Sequence, residues 1–300
     1  MKRSNFIKLA ALAPLTLSAM NLHEFEKITS SLTNQGKKTP VLFTSHGNPM
    51  EIVVPREQSP FWTSLNKLGK ELTQKYDVKA ALVVSAHWCT RGTYVNISKE
   101  QKQIYDYYGF PEHYYDPKYN AHGAPDIAKE IKQYIPNAEE TTDWGLDHGA
   151  WPMLMHLFPE ANIPVFQMSI SYYEKPEYHY QLGKQLKALR EKGVLIIGSG
   201  ALIHNLPLAS QKMMQNDMKA YGWEAEYDMW IKQQLDQRNF KAILEYETSH
   251  KFGKLAAPTP DHFVPVLYSL GLMDPGENIQ YFYDGATKLP AFSERSFVIS

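Results

Sequence analysis

The chain of 300 residues is 43% hydrophobic and 21% charged, which is the composition of an ordinary globular protein rather than of a disordered or fibrous one. Its formal net charge is −1 and it contains no long block of Lys and Arg, so it lacks the electrostatic footprint of a nucleic-acid-binding protein. Its single cysteine, Cys89, excludes an internal disulfide framework and any multi-cysteine zinc site, which leaves His, Asp and Glu as the candidate metal ligands.

The first predicted segment is a leader. Basic residues near the N-terminus precede an apolar run over residues 9–20, which is too short to span a bilayer but is typical of an export signal. An amphipathic N-terminal helix is the alternative. The sequence predicts a leader and linker over residues 1–38 and one folded domain over residues 39–300. The protein is expected in the periplasm if the signal functions and in the cytoplasm otherwise.

Strands and helices then alternate along the chain. Five runs resemble strands: Val41–Ser45, Ala80–Ala86, Tyr94–Ile97, Ile163–Ser169 and Val194–Gly198. Several of them are continuous and rich in β-branched residues, which is typical of strands covered on both faces. Helical spacing of apolar residues lies between and after them, at Phe61–Tyr76, Pro125–Tyr134, Ala150–Phe158, Tyr178–Lys192 and Phe263–Leu270. This alternation predicts an α/β domain with a mainly parallel central sheet flanked by helices.

Histidines follow three of these predicted strands. His46 and His87 come directly after the first two, and His204 follows Val194–Gly198 after a short glycine-containing turn. His262 stands before the last predicted helix. Functional sites of parallel sheets lie beyond the carboxyl ends of the strands, so these imidazoles are expected at one edge of the sheet. A single histidine at a strand end is usually an ordinary structural residue, but four such positions favour a metal site.

Several short motifs, in this order along the chain, resemble those of the DOPA 4,5-dioxygenase family, which belongs to the LigB-like class III extradiol ring-cleaving dioxygenases. The resemblance extends from about Pro40 to the C-terminus, and agreement of several motifs in order is more specific than any one of them. The matching segments are Ser45–Pro49, Ser85–Trp88, Gly109–Pro111, Asp147–Trp151, Ser199–Leu206 and Pro258–His262.

The resemblance implies a single catalytic α/β domain with a metal cleft at the carboxyl ends of the strands. The implied reaction inserts O2 into a catechol such as DOPA and gives a semialdehyde. Carried over to matching positions, His46 and His87 become metal ligands, His262 matches the last histidine of the metal site, and His204 matches a histidine that is either a ligand or an acid/base. The wider superfamily uses a glutamate as third ligand, and no glutamate here matches it. Fe(II) is expected for activity, and the histidine-rich set also suits Zn(II).

Two further roles follow from the chemistry of the implied reaction. Three protein ligands leave room at a metal for a catechol and O2, whereas a fourth would obstruct them, so His204 is the preferred general acid/base. Imidazole titrates near neutrality and can therefore both accept and return a proton. His148 is expected in the pocket wall, where it would donate a hydrogen bond to substrate or oxygen. The alternative for His148 is a structural position at the start of a helix.

Two other functions remain open at this stage. A zinc hydrolase would use the same histidines with a metal-bound water as nucleophile. A non-enzymatic metal-binding adaptor on the same fold is the second alternative. For the dioxygenase, the expected partners are a small-molecule catechol and O2, with no nucleic acid and no membrane span, and the sequence predicts no oligomeric state.

Overall fold

The predicted strands assemble into one sheet in the computed structural model, which describes residues 37–284 and 289–300 of the chain. The expected export signal lies outside these residues. Within them, the strands of the sheet are β1 (Val41–Thr44), β2 (Ala80–Thr90), β3 (Tyr94–Asn96), β4 (Glu139–Thr141), β5 (Val165–Ser171), β6 (Val194–Ser199), β7 (Ile279–Tyr283) and β8 (Ser296–Ile299).

The central strands of the sheet pair in parallel, and antiparallel pairs lie on either side of them. The strand order is β4-β3-β5-β2-β6-β1-β8-β7, and the neighbours among β5, β2, β6 and β1 all pair in parallel. β8 pairs antiparallel with β1 and β7, and β3 pairs antiparallel with β5. The prediction of an α/β domain with a mainly parallel central sheet is confirmed.

The central strands are buried on both faces, as their continuous apolar sequences predict. Val41 and Phe43 of β1 point into one hydrophobic cluster, whereas Leu42 between them points into the cluster on the opposite face. Residues of β2 alternate in the same way, and Leu82 and Val83 are both at 0% exposure. Because successive side chains of a strand point to opposite faces, a strand covered on both faces needs apolar residues at every position.

Helices cover both faces of the sheet. The five predicted helical segments are present, and two of them are each divided into two helices. Within the described ranges the helices are α1 (Pro60–Lys75), α2 (Pro125–Lys129), α3 (Ile131–Tyr134), α4 (Trp151–Leu157), α5 (Pro176–Gln185), α6 (Lys187–Glu191), α7 (Leu206–Met214), α8 (Trp223–Asp236), α9 (Phe240–Leu244), α10 (Tyr246–Ser249), α11 (Gly253–Ala256) and α12 (Val264–Gly271). No helix among the described residues has the length and apolarity needed to cross a membrane.

Three central strands reach the same level at the carboxyl edge of the sheet. Ser199 at the end of β6 is the register partner of Thr44 in β1 on one side and of Ser85 in β2 on the other. His46 and His87 each follow this row by two residues, so the parallel register delivers both imidazoles to one place. This row of three buried hydroxyl residues marks the level of the sheet beyond which the site lies.

Candidate metal centre

His87 reaches the site from a bulge inside a strand. The sequence predicted that β2 ends before His87, but β2 continues to Thr90, and that prediction of the strand end is wrong. The pairing of β2 with β5 jumps from Val84↔Met168 to Cys89↔Ile170, so four residues of β2 lie opposite one residue of β5. Such bulges redirect side chains and are frequent next to active sites.

Three imidazoles, two of them buried and that of His87 half-buried, converge at this edge of the sheet. One ring nitrogen from each of His46, His87 and His262 lies within 4.8 Å of the other two, and the Nε2 atoms of His46 and His87 are 3.2 Å apart. Ligand nitrogens at about 2.0–2.1 Å from a shared zinc ion stand roughly 3–3.5 Å from each other, which matches the His46–His87 separation.

Each of the three rings is held through its Nδ1 atom. His46 Nδ1 lies 3.0 Å from Ser199 Oγ, whose hydroxyl donates to the carbonyl of Gly149. Since that hydroxyl has one proton, His46 Nδ1 must be the donor to Ser199, which leaves its Nε2 with a free lone pair. His87 Nδ1 lies 3.0 Å from Asp106 Oδ2, and His262 Nδ1 lies 2.5 Å from Asp261 Oδ2. Outer hydrogen bonds of this kind fix the tautomer and orientation of metal-binding histidines.

Asp106 connects two histidines and was not singled out from the sequence. Its Oδ2 is 3.0 Å from His87 Nδ1, and its Oδ1 is 2.9 Å from His148 Nδ1 and accepts a hydrogen bond from the His148 backbone N–H at 2.8 Å. Burial raises the pKa of Asp106, but the His148 and His87 rings outweigh that effect and bring it well below its usual range. The carboxylate is therefore charged; it lies against both rings and binds the backbone of His148.

Close backbone contacts bring the distant histidines to the same place. A Cβ atom at Gly200 would lie 2.2 Å from the carbonyl oxygen of His262, and that oxygen accepts a hydrogen bond from the N–H of Ala201 at 2.8 Å. A Cβ at Gly149 would lie 2.3 Å from Ser85 Oγ. Glycine at these two positions is thus required by packing, because any side chain would push the His262 or His148 segment away.

His204 lies beside the three converging rings rather than among them. Its ring stacks on that of His262 with centroids 3.4 Å apart and an interplanar angle of 3°. One ring nitrogen of His204 lies within 4.8 Å of ligand atoms of Asp261 and His262, and His204 is not part of the group formed by His46, His87 and His262. His148 also lies at the site, with its ring centroid 3.8 Å from that of His87. All five histidines singled out from the sequence therefore lie in one region: His46, His87 and His262 converge, and His204 and His148 lie beside them.

Burial controls the protonation of these rings. Burial lowers the pKa of His46 and of His262 well below the ordinary value, and neighbouring imidazoles lower each pKa further. Burial likewise lowers the pKa of His204 to about 4. At His87, burial lowers the pKa, but the Asp106 carboxylate outweighs it and the pKa is raised overall. His46 and His262 are thus held in the neutral form that binds metal ions.

The donor set fits a transition-metal ion. Imidazole is a borderline ligand that suits iron and zinc. The neutral His46 and His262 rings and the His87 ring bring one nitrogen each within 4.8 Å of the other two. The nearby carboxylates, Asp106 and Asp261, are engaged with histidine Nδ1 atoms.

A cavity of about 820 Å³ opens directly onto these histidines. It reaches from the row of strand ends past α7 and the segment around Phe292, and Tyr107 and Phe110 line its opposite side. Cavities of roughly 300–1,000 Å³ are typical of small-molecule sites. The arrangement defines a metal-dependent enzyme that acts on a small molecule beyond the carboxyl ends of a parallel sheet.

Comparison with known proteins gives the family. Residues 40–289 match the family model described as the catalytic LigB subunit of aromatic ring-opening dioxygenase. The chain is 34% identical over 254 residues to an Escherichia coli K12 protein named 4,5-DOPA dioxygenase extradiol, covering 83% of this chain and 90% of that protein. A Beta vulgaris protein of the same name is 37% identical over 244 residues, with 79% and 87% covered. The chain belongs to the LigB family of ring-opening dioxygenases.

A solved structure agrees with this assignment. The crystal structure of an uncharacterized Escherichia coli K12 protein matches with a TM-score of 0.73 and 30% identity, covering 87% of this chain and all of that one. The protein is therefore a metal-dependent extradiol ring-cleaving dioxygenase that uses O2 and a small-molecule substrate. This finding decides against the zinc hydrolase and the non-enzymatic adaptor that the sequence left open.

Proposed function

We propose that the protein cleaves the ring of a catechol such as DOPA, with Fe(II) held by His46, His87 and His262, and releases a semialdehyde. The observation that carries this proposal is the convergence of three anchored imidazoles, all within 4.8 Å of one another, at the floor of the cavity. Relatives named 4,5-DOPA dioxygenase extradiol support a DOPA-like ring as substrate. Zn(II) suits the same ligands and is the expected occupant when iron is absent.

Fe(II) held by these three histidines would supply the redox chemistry that activates O2 towards a catechol. The side chains of this chain position the ligands and the substrate. Ser199, Asp106 and Asp261 hold the three ligand rings by their Nδ1 atoms, which leaves the cavity-facing side of the site open. A rigid outer shell of this kind keeps the ligand geometry constant while substrates enter and leave.

His204 is proposed as the general acid/base. It is neutral in the fold, lines the cavity and stacks on His262 instead of joining the group formed with His46 and His87. That position lets it take a proton from a substrate hydroxyl and later return one, without occupying a position on the metal. His148, anchored by Asp106 on the other side of the cluster, is proposed to donate a hydrogen bond to substrate or oxygen from the cavity wall.

The test is anaerobic reconstitution with Fe(II) followed by a panel of catechols in air-saturated buffer. Oxygen uptake with formation of a yellow semialdehyde is expected for at least one ring. Zinc-loaded protein is the matched control and should consume no O2, because zinc has no redox chemistry. Iron-loaded protein that binds catechols but opens no ring would refute the proposal.

A further inference from the structure

Asp147 is a fully buried carboxylate that comes directly before His148 in the chain. Its Oδ1 atom accepts a hydrogen bond from the Ser85 hydroxyl at 2.6 Å, and its Oδ2 atom accepts from Gln167 Nε2 at 2.8 Å and from Trp144 Nε1 at 3.0 Å. Burial of a carboxylate is costly unless its oxygens accept hydrogen bonds. The three donors come from β2, from β5 and from the loop before Asp147, so this side chain ties three segments together.

One of these bonds leads to the bulge that carries His87. The Ser85 hydroxyl donates its single proton to Asp147, so its oxygen can accept, and the backbone N–H of His87 donates to that oxygen at 3.2 Å. Ser85 and His87 both lie in the stretch of β2 that has lost its regular pairing with β5. The extra residues of a bulge lack partners in the ladder, so a side-chain acceptor holds the backbone here. The position of His87 therefore depends on Asp147 through Ser85.

The segment that begins at Asp147 also reaches His46. The Ser199 hydroxyl donates to the carbonyl of Gly149, and the same Ser199 oxygen accepts from His46 Nδ1. A Cβ atom at Gly149 would lie 2.3 Å from Ser85 Oγ and 3.1 Å from Asp147 Oδ1, so this segment packs directly on both side chains. A shift of Asp147 would thus displace the Gly149 carbonyl on which the contact of His46 with Ser199 depends.

We infer that Asp147 is a positioning residue of the metal centre, whose carboxylate sets the placement of the His46 and His87 rings. Asp147 is at 0% exposure and is not among the described residues that line the cavity, so it acts through other residues and touches no substrate. Ser85 carries its effect to His87, and the segment up to Gly149 carries it to His46. The inference rests on the proposed function, because it takes these two histidines as ligands of the metal.

Asp147→Asn tests this role with a side chain of the same shape. The amide has one acceptor oxygen in place of two, so at least one buried donor loses its acceptor and the network must rearrange. Co(II) is the probe, because its visible absorption bands report the geometry of its ligands. We expect the dissociation constant for Co(II) to rise about tenfold or more and the bands to shift. Wild-type affinity and bands in Asp147→Asn would overturn the inference, even if the variant unfolds at a lower temperature.

A second substitution should restore part of the geometry. In Asp147→Asn/Gln167→Glu the carboxylate moves to position 167, where it can accept from the new side-chain amide and from the backbone N–H of residue 147, which donates to Gln167 at 3.3 Å. We expect the Co(II) affinity and bands of the double variant to lie closer to the wild type than those of Asp147→Asn, which a double-mutant cycle measures. A double variant that is no closer to the wild type would contradict the inference.

Ser85→Ala keeps the test decisive if Asp147→Asn does not fold. It removes only the hydroxyl that joins Asp147 to the His87 N–H, and the Co(II) bands should again shift. Ser171→Ala is the matched control, because Ser171 is also buried and accepts one backbone N–H, that of Gly92 at 3.2 Å. Its bands should equal those of the wild type. Unchanged bands in Ser85→Ala, or an equal shift in both variants, would refute the positioning role.

A failure of the proposed function gives a different result. The iron-loaded wild-type protein would then open no catechol ring, although it holds its metal. The Co(II) measurements need neither substrate nor O2. Shifted bands in Asp147→Asn and Ser85→Ala would therefore still support the positioning role, and unchanged bands would still refute it.

Discussion

Asp106→Asn should weaken metal binding while leaving the fold intact. The carboxylate accepts a hydrogen bond from the His148 backbone N–H at 2.8 Å, and it lies 3.0 Å from His87 Nδ1 and 2.9 Å from His148 Nδ1. The amide keeps the shape but removes the charge that orients and polarises the His87 ring. Loss of an outer partner of a metal-binding histidine typically costs 10–100-fold in metal affinity, or about 1.4–2.7 kcal/mol.

A competition titration with a chromophoric chelator measures this change directly. Asp143→Asn is the control, because Asp143 is exposed and the substitution is chemically identical. The expected result is a metal dissociation constant raised by about 10–100-fold for Asp106→Asn and unchanged for Asp143→Asn. Thermal unfolding of the two metal-free proteins should give similar midpoints. Wild-type metal affinity in Asp106→Asn would refute the role assigned to this carboxylate.

Three other predictions concern the base, the N-terminus and acid stability. His204→Ala should keep most of its metal but lose about 10²-fold or more in turnover, whereas His46→Ala should lose both metal and turnover. If metal analysis finds as little metal in His204→Ala as in His46→Ala, His204 is a ligand. Deletion of residues 1–36 should leave folding and metal content unchanged, because it preserves the ion pairs of Lys38 with Asp274 and Glu277. Circular dichroism and metal analysis measure this, and insoluble protein would show a structural role for the deleted segment. Burial and then Arg56 lower the pKa of His156 to about 4, so the folded state favours its neutral form. The free energy of unfolding should therefore fall as the pH drops from about 6.5 to about 4, by up to about 3 kcal/mol, and His156→Gln should remove this part of the pH dependence in urea titrations; parallel curves for the two proteins would contradict it.

The elements that the sequence predicted well are the strands whose own residue pattern indicates that they are buried. β1, β2, β5 and β6 are buried on both faces, and apolar residues predominate in each, although Gln167, Ser169 and Ser171 interrupt β5. Runs of this kind indicate buried strands without knowledge of the neighbouring elements. β4 was not predicted because it is a three-residue, mainly polar edge strand. β7 and β8 form an antiparallel pair at the other edge, and β7 is only partly buried.

The candidate site shows the same division. His46 and His87 could be placed together because parallel strands end in register at one edge of the sheet. Asp106 could not, because it lies in an irregular tyrosine-rich segment with no periodic pattern, and only tertiary contact brings it to His87 and His148. The stacking of the His204 ring on that of His262 is likewise a tertiary contact that neither local pattern predicts.

The most direct test of the central claim is the stoichiometry of oxygen use. The iron-loaded protein would be supplied with a catechol in a closed cell that records dissolved O2 and semialdehyde absorbance together, with hydrogen peroxide measured at the end. Extradiol cleavage predicts equal molar amounts of O2 consumed and yellow semialdehyde formed. No peroxide is expected, because both atoms of O2 are incorporated into the ring-opened product. Oxygen uptake that yields a quinone and peroxide, or a colourless product cleaved between the hydroxyls, would contradict it.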